Sequence, residues 1–310
     1  MGEGPGEFMG VGGMGWWGGR TDTLWVADFT LRRVSLFAVS GTFARSVPLP
    51  EIEYGDSFRV QVPHAIGPDG HAVAVAGTKP GLTREGPVPI LSFDIATGVV
   101  RREVGKLAKT GTLTIRSRGA TVSTGVHPIS DAPFVAHAPD GNRMIIVERS
   151  TAPEADTTVT LHAIASSGDT LWSRRFRYAP LALPAAEIDS LLAPRIEGFK
   201  RFARLERKLS DDEAELAYRE SVEVPGHRPP IRSARVALDG RIWLEWNAPP
   251  GMPSDWWLLN SEGEPLTIVR PSMPISAAGV AGDHLWAVEL DEMDVPYLVR
   301  YRVDDIASER

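Results

Sequence analysis

Residues 233–269, SARVALDGRIWLEWNAPPGMPSDWWLLNSEGEPLTIV, read as four short strands in succession. Residues 234–238 are apolar at alternate positions, and Asp239-Gly240 supplies a tight turn in which glycine tolerates positive φ. Residues 241–246 return, and a Pro/Gly-rich loop follows. Residues 256–260 form a third strand, Glu262-Gly263 turns again, and residues 265–269 close the unit. Four antiparallel strands in about forty residues make one propeller blade.

The plan recurs along the chain. Blades are expected at about 20–50, 63–104, 132–178, 231–270 and 276–303. Their turn acids are Asp22, Asp69, Asp140, Asp239 and Asp283, at spacings of 47, 71, 99 and 44 residues. Two spacings approach the blade period of roughly 40–50 residues, so the longer ones must hold insertions. Trp25, Trp243 and Trp286 each follow a turn acid and an aliphatic residue, a recurrence that reads as packing between blades. The expected fold is an all-β, single-domain propeller of four-stranded antiparallel blades.

One passage, residues 184–222, reads as helical. Ile188, Leu191, Leu192, Ile196, Phe199, Phe202 and Leu205 fall near a 3.6-residue period. Pro194 predicts a kink or break near Ala193. Ser210 and Glu213 form a capping box for a second helix over 211–220. A helical pair packed on one face of the ring is expected, with a lid or partner-docking element as the alternative.

Composition narrows function by exclusion. A net charge of −7 argues against a nucleic-acid partner. No apolar run approaches the ~18 residues of a transmembrane segment. With no cysteine, disulfides and thiolate metal sites are excluded. The opening residues lack the basic and apolar regions of a signal peptide. Gly10-Val11-Gly12-Gly13-Met14-Gly15 matches the dinucleotide fingerprint by letter. Two tryptophans, two glycines and a strand follow it rather than a helix, so it reads as a loop coincidence.

The motif run Leu24-Trp25-Val26-Ala27-Asp28, Arg32-Arg33-Val34-Ser35-Leu36-Phe37 and Gly41-Thr42-Phe43 resembles the bacterial six-bladed β-propeller superfamily of NHL-like and TolB-like repeats. Gly2-Glu3-Gly4-Pro5-Gly6-Glu7-Phe8 is similar to the segment that closes one blade and enters the next in that group. Ala186-Glu187-Ile188-Asp189-Ser190-Leu191-Leu192, followed by a basic helix and Pro229-Pro230, is similar to an insertion found there. The resemblance implies six blades, whereas five are read here, the fifth stopping after its third strand. It therefore suggests a start upstream of Met1, with part of one blade and an export signal preceding it, and an exported or periplasmic protein. The rival expectation is a five-bladed ring closed by residues 10–17, a stretch whose glycines make a poor strand.

Catalytic signatures are missing from the sequence. His64, His71, His127, His137, His162, His227 and His284 include no pair at metal-ligand spacing, and neither H-E-x-x-H nor G-x-S-x-G occurs. Neither a metal nor a cofactor is expected. Loops entering the innermost strands carry His64, Asp131, Phe134 and Arg232, which could gather at the channel mouth and bind a polar or anionic molecule. The reading that follows is a non-catalytic binding or scaffold propeller for a protein, peptide or small polar ligand. The alternative is a metal-dependent hydrolase or lactonase resembling gluconolactonase-type propellers, which requires Glu, Asn and Asp ligands converging from several blades.

Overall fold

Asp-Gly turns and buried apolar strands set the architecture. In the computed structural model, residues 4, 7–20, 22–79, 82, 86–149, 157–271, 276–281, 283–290, 293 and 295–302 are described. Four meandering antiparallel sheets follow one another. Blade one is Val11–Trp16, Thr23–Asp28, Arg33–Ala38 and Phe43–Pro48; blade two is Ala65–Ile66, His71–Val75, Val88–Asp94 and Val100–Leu107. Blade three is Phe134–His137, Arg143–Arg149, Thr158–Ala165 and Thr170–Arg177; blade four is Ile231–Val236, Ile242–Trp246, Trp256–Leu259 and Pro265–Val269. A fifth sheet has three strands among the described residues, Ser276–Ala281, His284–Leu290 and Pro296–Arg302. Gly282 and Val303, read as part of this unit, lie outside the described residues, as does most of the 2–8 segment.

Each Asp-Gly turn has the same local cause. Asp69, Asp140 and Asp239 each accept, through Oδ1, the backbone N–H two residues on, at 3.2, 3.0 and 3.1 Å. That bond closes the turn while the glycine takes positive φ, 84° at Gly240.

The sheets stack face to face, and alternation along single strands shows it. In blade three, Met144 and Ile146 join Val73, Ile90 and Val104 of blade two, whereas Ile145 and Val147 join Val236, Ile242 and Leu244 of blade four. In blade four, Trp243, Trp256 and Leu258 turn the other way and meet Leu285 and Ala287 of the fifth sheet. Trp25, Val34 and Leu36 of blade one pack with Ala72, Leu91 and Phe93 of blade two. Strands buried on both faces are apolar at successive positions, as in Met144-Ile145-Ile146-Val147. Each such side chain contributes about 1.5–3 kcal/mol by leaving water. First strands of neighbouring sheets contact one another, blade one with two, three with four, and four with the fifth. They are the inner strands of an all-β, propeller-like fold. Outer strands such as Thr170–Arg177 are mostly exposed. Trp25 and Trp243 are buried as the recurrence predicts, while Trp286 is half-buried with the Arg300 guanidinium 5.8 Å from its ring.

Two expectations need correction. The glycine-rich stretch read as a loop contains a strand, Val11–Trp16, which pairs with Thr23–Asp28 as the inner strand of blade one. It does not serve there as a closing strand for another sheet. The glycines fit because the strand runs against the Trp25 indole. A Cβ on Gly13 would sit 2.8 Å from the Pro63 carbonyl oxygen, and one on Gly15 would sit 3.0 Å from Trp25 Nε1. The entry to this strand is fixed by buried Asp28, which accepts N–H groups from Met9, Thr30 and Leu31 at 2.7, 2.9 and 2.9 Å.

The second correction concerns Pro194. The helix α1, Ala185–Phe202, runs through it without a break. Pro194 and Ser190 lie on the exposed face, so the Ser190 carbonyl that loses its helical donor is open to water. A π-helical turn, Ala203–Arg207, leads to α2, Asp211–Ser221, with the expected Ser210–Glu213 capping box. Both helices pack on a hairpin that the sequence reading did not foresee, Thr112–Ser117 with Ala120–Val126, through Leu113, Ile115 and Val122. A second unforeseen element is the small sheet Ile52–Tyr54, Phe58–Val60 and Gly77–Thr78. Among the described residues no helix is long and apolar enough to cross a membrane.

Candidate functional site

Phe134 opens the inner strand of blade three, and its register partner on the next strand is Val147. Arg149 lies two residues beyond Val147, on the same face, and its side chain folds back over the strand entrance. The guanidinium carbon stands 4.9 Å from the Phe134 ring centroid. Nε donates to the Ala132 carbonyl at 3.0 Å, and an η nitrogen donates to the carbonyl of Ile231 in blade four. A planar, weakly hydrated cation suits an aromatic face. Burial pulls the Arg149 pKa down to about 10, against the opposing charge of Asp131. Among the described residues, both hydrogen bonds of Arg149 go to neutral carbonyls.

Asp131 forms an ion pair with Lys109 from the segment before the hairpin. Its charge also reaches Tyr178, whose pKa is raised by burial first and by Asp131 second. His127 is held below the ordinary imidazole range by burial, with Asp131 and Glu223 opposing. Tyr178 faces Trp246 at 6.3 Å, and Trp246 meets Trp257 at 4.9 Å, an aromatic path joining blades three and four. Arg232 is exposed and its Nη1 donates to Glu245 Oε1 at 3.2 Å; Glu245, 6% exposed, also accepts from Ser233 Oγ at 2.7 Å. Arg232 thus neutralises a buried carboxylate.

Of the four residues marked in the sequence, Asp131 and Phe134 converge on Arg149. Arg232 follows Ile231, whose carbonyl Arg149 holds. His64 belongs to a different place. It precedes the inner strand of blade two and its ring lies 5.3 Å from that of His137, the last residue of blade three's inner strand. His64 is exposed, yet the surrounding protein lowers its pKa by desolvation. His137 is pushed down to about 3 by burial and by His64, and its Nε2 is buried with no hydrogen-bond partner among the described residues.

Sequence reasoning missed Arg149, Lys109, Tyr178 and His137 as members of these clusters. No spacing motif marks them, because each is brought in by the stacking of separate blades. A cleft of about 240 Å³ elsewhere, lined by Tyr54, Phe58, Pro87, Pro89, Glu103 and Lys106, is smaller than usual ligand sites. Its Glu103 is already engaged by Lys106 at 3.1 Å and by the Tyr54 hydroxyl at 3.4 Å.

No protein-family model matches the chain, and no curated protein matches it. Among solved structures, it is similar to a prolyl endopeptidase, with 11% identity and a TM-score of 0.35 over 95% of this chain. That alignment spans 39% of the endopeptidase chain. A member of the DUF4221 family from Bacteroides vulgatus aligns at 10% identity and a TM-score of 0.39, over 96% of this chain and 80% of that one. At these values neither likeness says what this chain does.

Proposed function

We propose that this protein is a non-catalytic binding propeller whose ligand, a small molecule or peptide bearing a carboxylate, docks at the inner-strand entrances of blades three and four. The observation that carries the reading is Arg149. It is a partly desolvated cation, held over Phe134 by two neutral carbonyls, with no direct carboxylate contact among the described residues to cancel its charge. A fixed guanidinium of this kind recognises a planar anion by paired hydrogen bonds. Tyr178 and Trp246 supply aromatic walls, while the charge of Lys109 is taken up by Asp131. A binding module of the NHL-like or TolB-like six-bladed type accords with this reading.

The test is thermal stabilisation by short peptides that end in a free carboxylate, compared with their C-terminal amides. A ligand at one hundred times its Kd adds about 2.7 kcal/mol to stability. Free carboxylates should stabilise the protein and amides should not, and Phe134→Leu should weaken the response. Equal effects of acid and amide would remove Arg149 as the anchor.

A further inference from the structure

We propose that His64 and His137 form a two-imidazole site between blades two and three for a borderline divalent ion of the Zn²⁺, Ni²⁺ or Cu²⁺ class. The two residues are 73 positions apart in sequence and belong to adjacent blades, so only the stacking of blades two and three brings them together. The site lies beyond the carboxylate-binding reading: His137 is three residues along the strand from Phe134, roughly 10 Å at the usual rise of a strand.

Three observations carry the assignment. The ring centroids are 5.3 Å apart with planes inclined at 59°. Two imidazoles bound to one tetrahedral ion, with metal–nitrogen bonds of about 2.0–2.1 Å, place their centroids roughly 5 Å apart. Secondly, the two rings lack hydrogen-bond partners among the described residues, and His137 Nε2 is buried in that condition. Of the five other histidines, four are engaged: His71 with Asp69, His162 with Ser173 at 2.7 Å, His127 with the Ile129 N–H at 3.2 Å, and His284 with Asp283 at 2.7 Å. His227 stands apart from any second histidine ring among the described residues. An orphan buried nitrogen is a standing penalty that coordination would relieve. Thirdly, His64 is exposed, which gives an ion a way in and leaves the remaining positions to water.

An imidazole coordinates through the lone pair of its neutral form. Nitrogen donors select transition ions over Ca²⁺ and Mg²⁺, which demand oxygen. This distinguishes the pair from the oxygen-ligated metal of a lactonase-type propeller. Among the described residues no third His, Asp or Glu joins the pair, so binding should be in the micromolar range rather than tighter.

The experiment titrates the chelator-treated full chain with ZnCl₂, NiCl₂ and CaCl₂ by calorimetry and thermal shift. It uses wild type, His64→Phe and His137→Phe, since phenylalanine preserves the ring contact and removes the donor. Zn²⁺ and Ni²⁺ should bind wild type at about one equivalent and Ca²⁺ should not, with affinity falling at least tenfold in each variant. Co²⁺ should give a ligand-field absorption in wild type that His64→Phe loses. Because His64 is exposed, that variant alone decides the matter if His137→Phe fails to fold. Undiminished Zn²⁺ affinity in His64→Phe, or no binding by wild type, would overturn the proposal and leave the pair as an aromatic contact.

Discussion

Arg149 of blade three donates a hydrogen bond to the main-chain carbonyl of Ile231 in blade four. The bond ties two sheets at their inner edge by a side chain that also lies on Phe134 and holds Ala132. Removing it leaves carbonyls without a donor and an aromatic face without its cation. Arg149→Met should therefore destabilise the protein by about 1–3 kcal/mol, the range for stranding buried polar groups. Arg149→Lys should recover little, since an ammonium lacks the planar fork. Urea unfolding followed by tryptophan fluorescence reads both, and a loss under about 0.5 kcal/mol in Arg149→Met would show that the tie has no structural weight.

Asp28 gives the fold a dependence on acid. Burial alone would raise its carboxyl, but the N–H groups of Leu31, Met9, Gly10 and Thr30 outweigh it and hold the folded pKa below the usual carboxylate range. A depressed folded pKa stabilises above the unfolded value of about 3.9, and that contribution is lost as pH falls through the folded value. Asp28→Asn should lower stability at pH 7 by about 1–3 kcal/mol. It should also flatten the decline of stability below about pH 4. Denaturant midpoints for both proteins between pH 7 and the acid limit would measure this; parallel curves would mean that Asp28 does not govern the acid limb.

Gly13 tests the reversal of the glycine-rich stretch from loop to strand. Its missing Cβ leaves room for the Pro63 carbonyl of blade two and for Trp25, at 2.8 and 3.3 Å from the position a Cβ would take. Since the nearest neighbour is backbone, it cannot step aside as a side chain would. Gly13→Ala should lower stability by about 1–3 kcal/mol through overpacking, despite the higher strand propensity of alanine. Gly125, with nothing within 4 Å of its Cβ position, is the control, and Gly125→Ala should stay within about 0.5 kcal/mol of wild type. Equal melting temperatures for the two variants would contradict the packing account.

These cases divide what the sequence made legible from what it did not. Asp239-Gly240 and its relatives announced the turns because each asparto-glycyl pair acts through its own backbone two residues away. The inner strand Val11–Trp16 was hidden because its warrant lies in Trp25 and Pro63, and propensity counts only the strand itself. The hairpin at residues 112–126 has Leu113, Ile115 and Val122 to offer, too few apolar positions to stand out until the helices cover them. For the site, Phe134 and Asp131 were found from their place at a strand entrance. Arg149 and His137 went unmarked, since an arginine ending one strand and a histidine ending another gain meaning only when a neighbouring blade arrives.

Pro194 is the remaining disagreement that a substitution can weigh. A proline inside a helix forfeits one hydrogen bond and crowds the carbonyl four residues back, at about 3 kcal/mol or more. Here α1 continues through it, with Leu192, Ile196 and Phe199 anchored on the hairpin core on the opposite face. Tertiary burial therefore outweighs the local penalty. Pro194 is exposed, so Pro194→Ala restores the Ser190 bond without disturbing a packed neighbour. The variant should gain about 1–3 kcal/mol locally, the part of the proline penalty not already met by solvation of Ser190. Hydrogen exchange of the amides in α1 should slow by one to two orders of magnitude, about 1.4 kcal/mol for each tenfold. Unchanged or faster exchange would mean that the helix is already kinked to suit the proline, and that its removal relieves nothing.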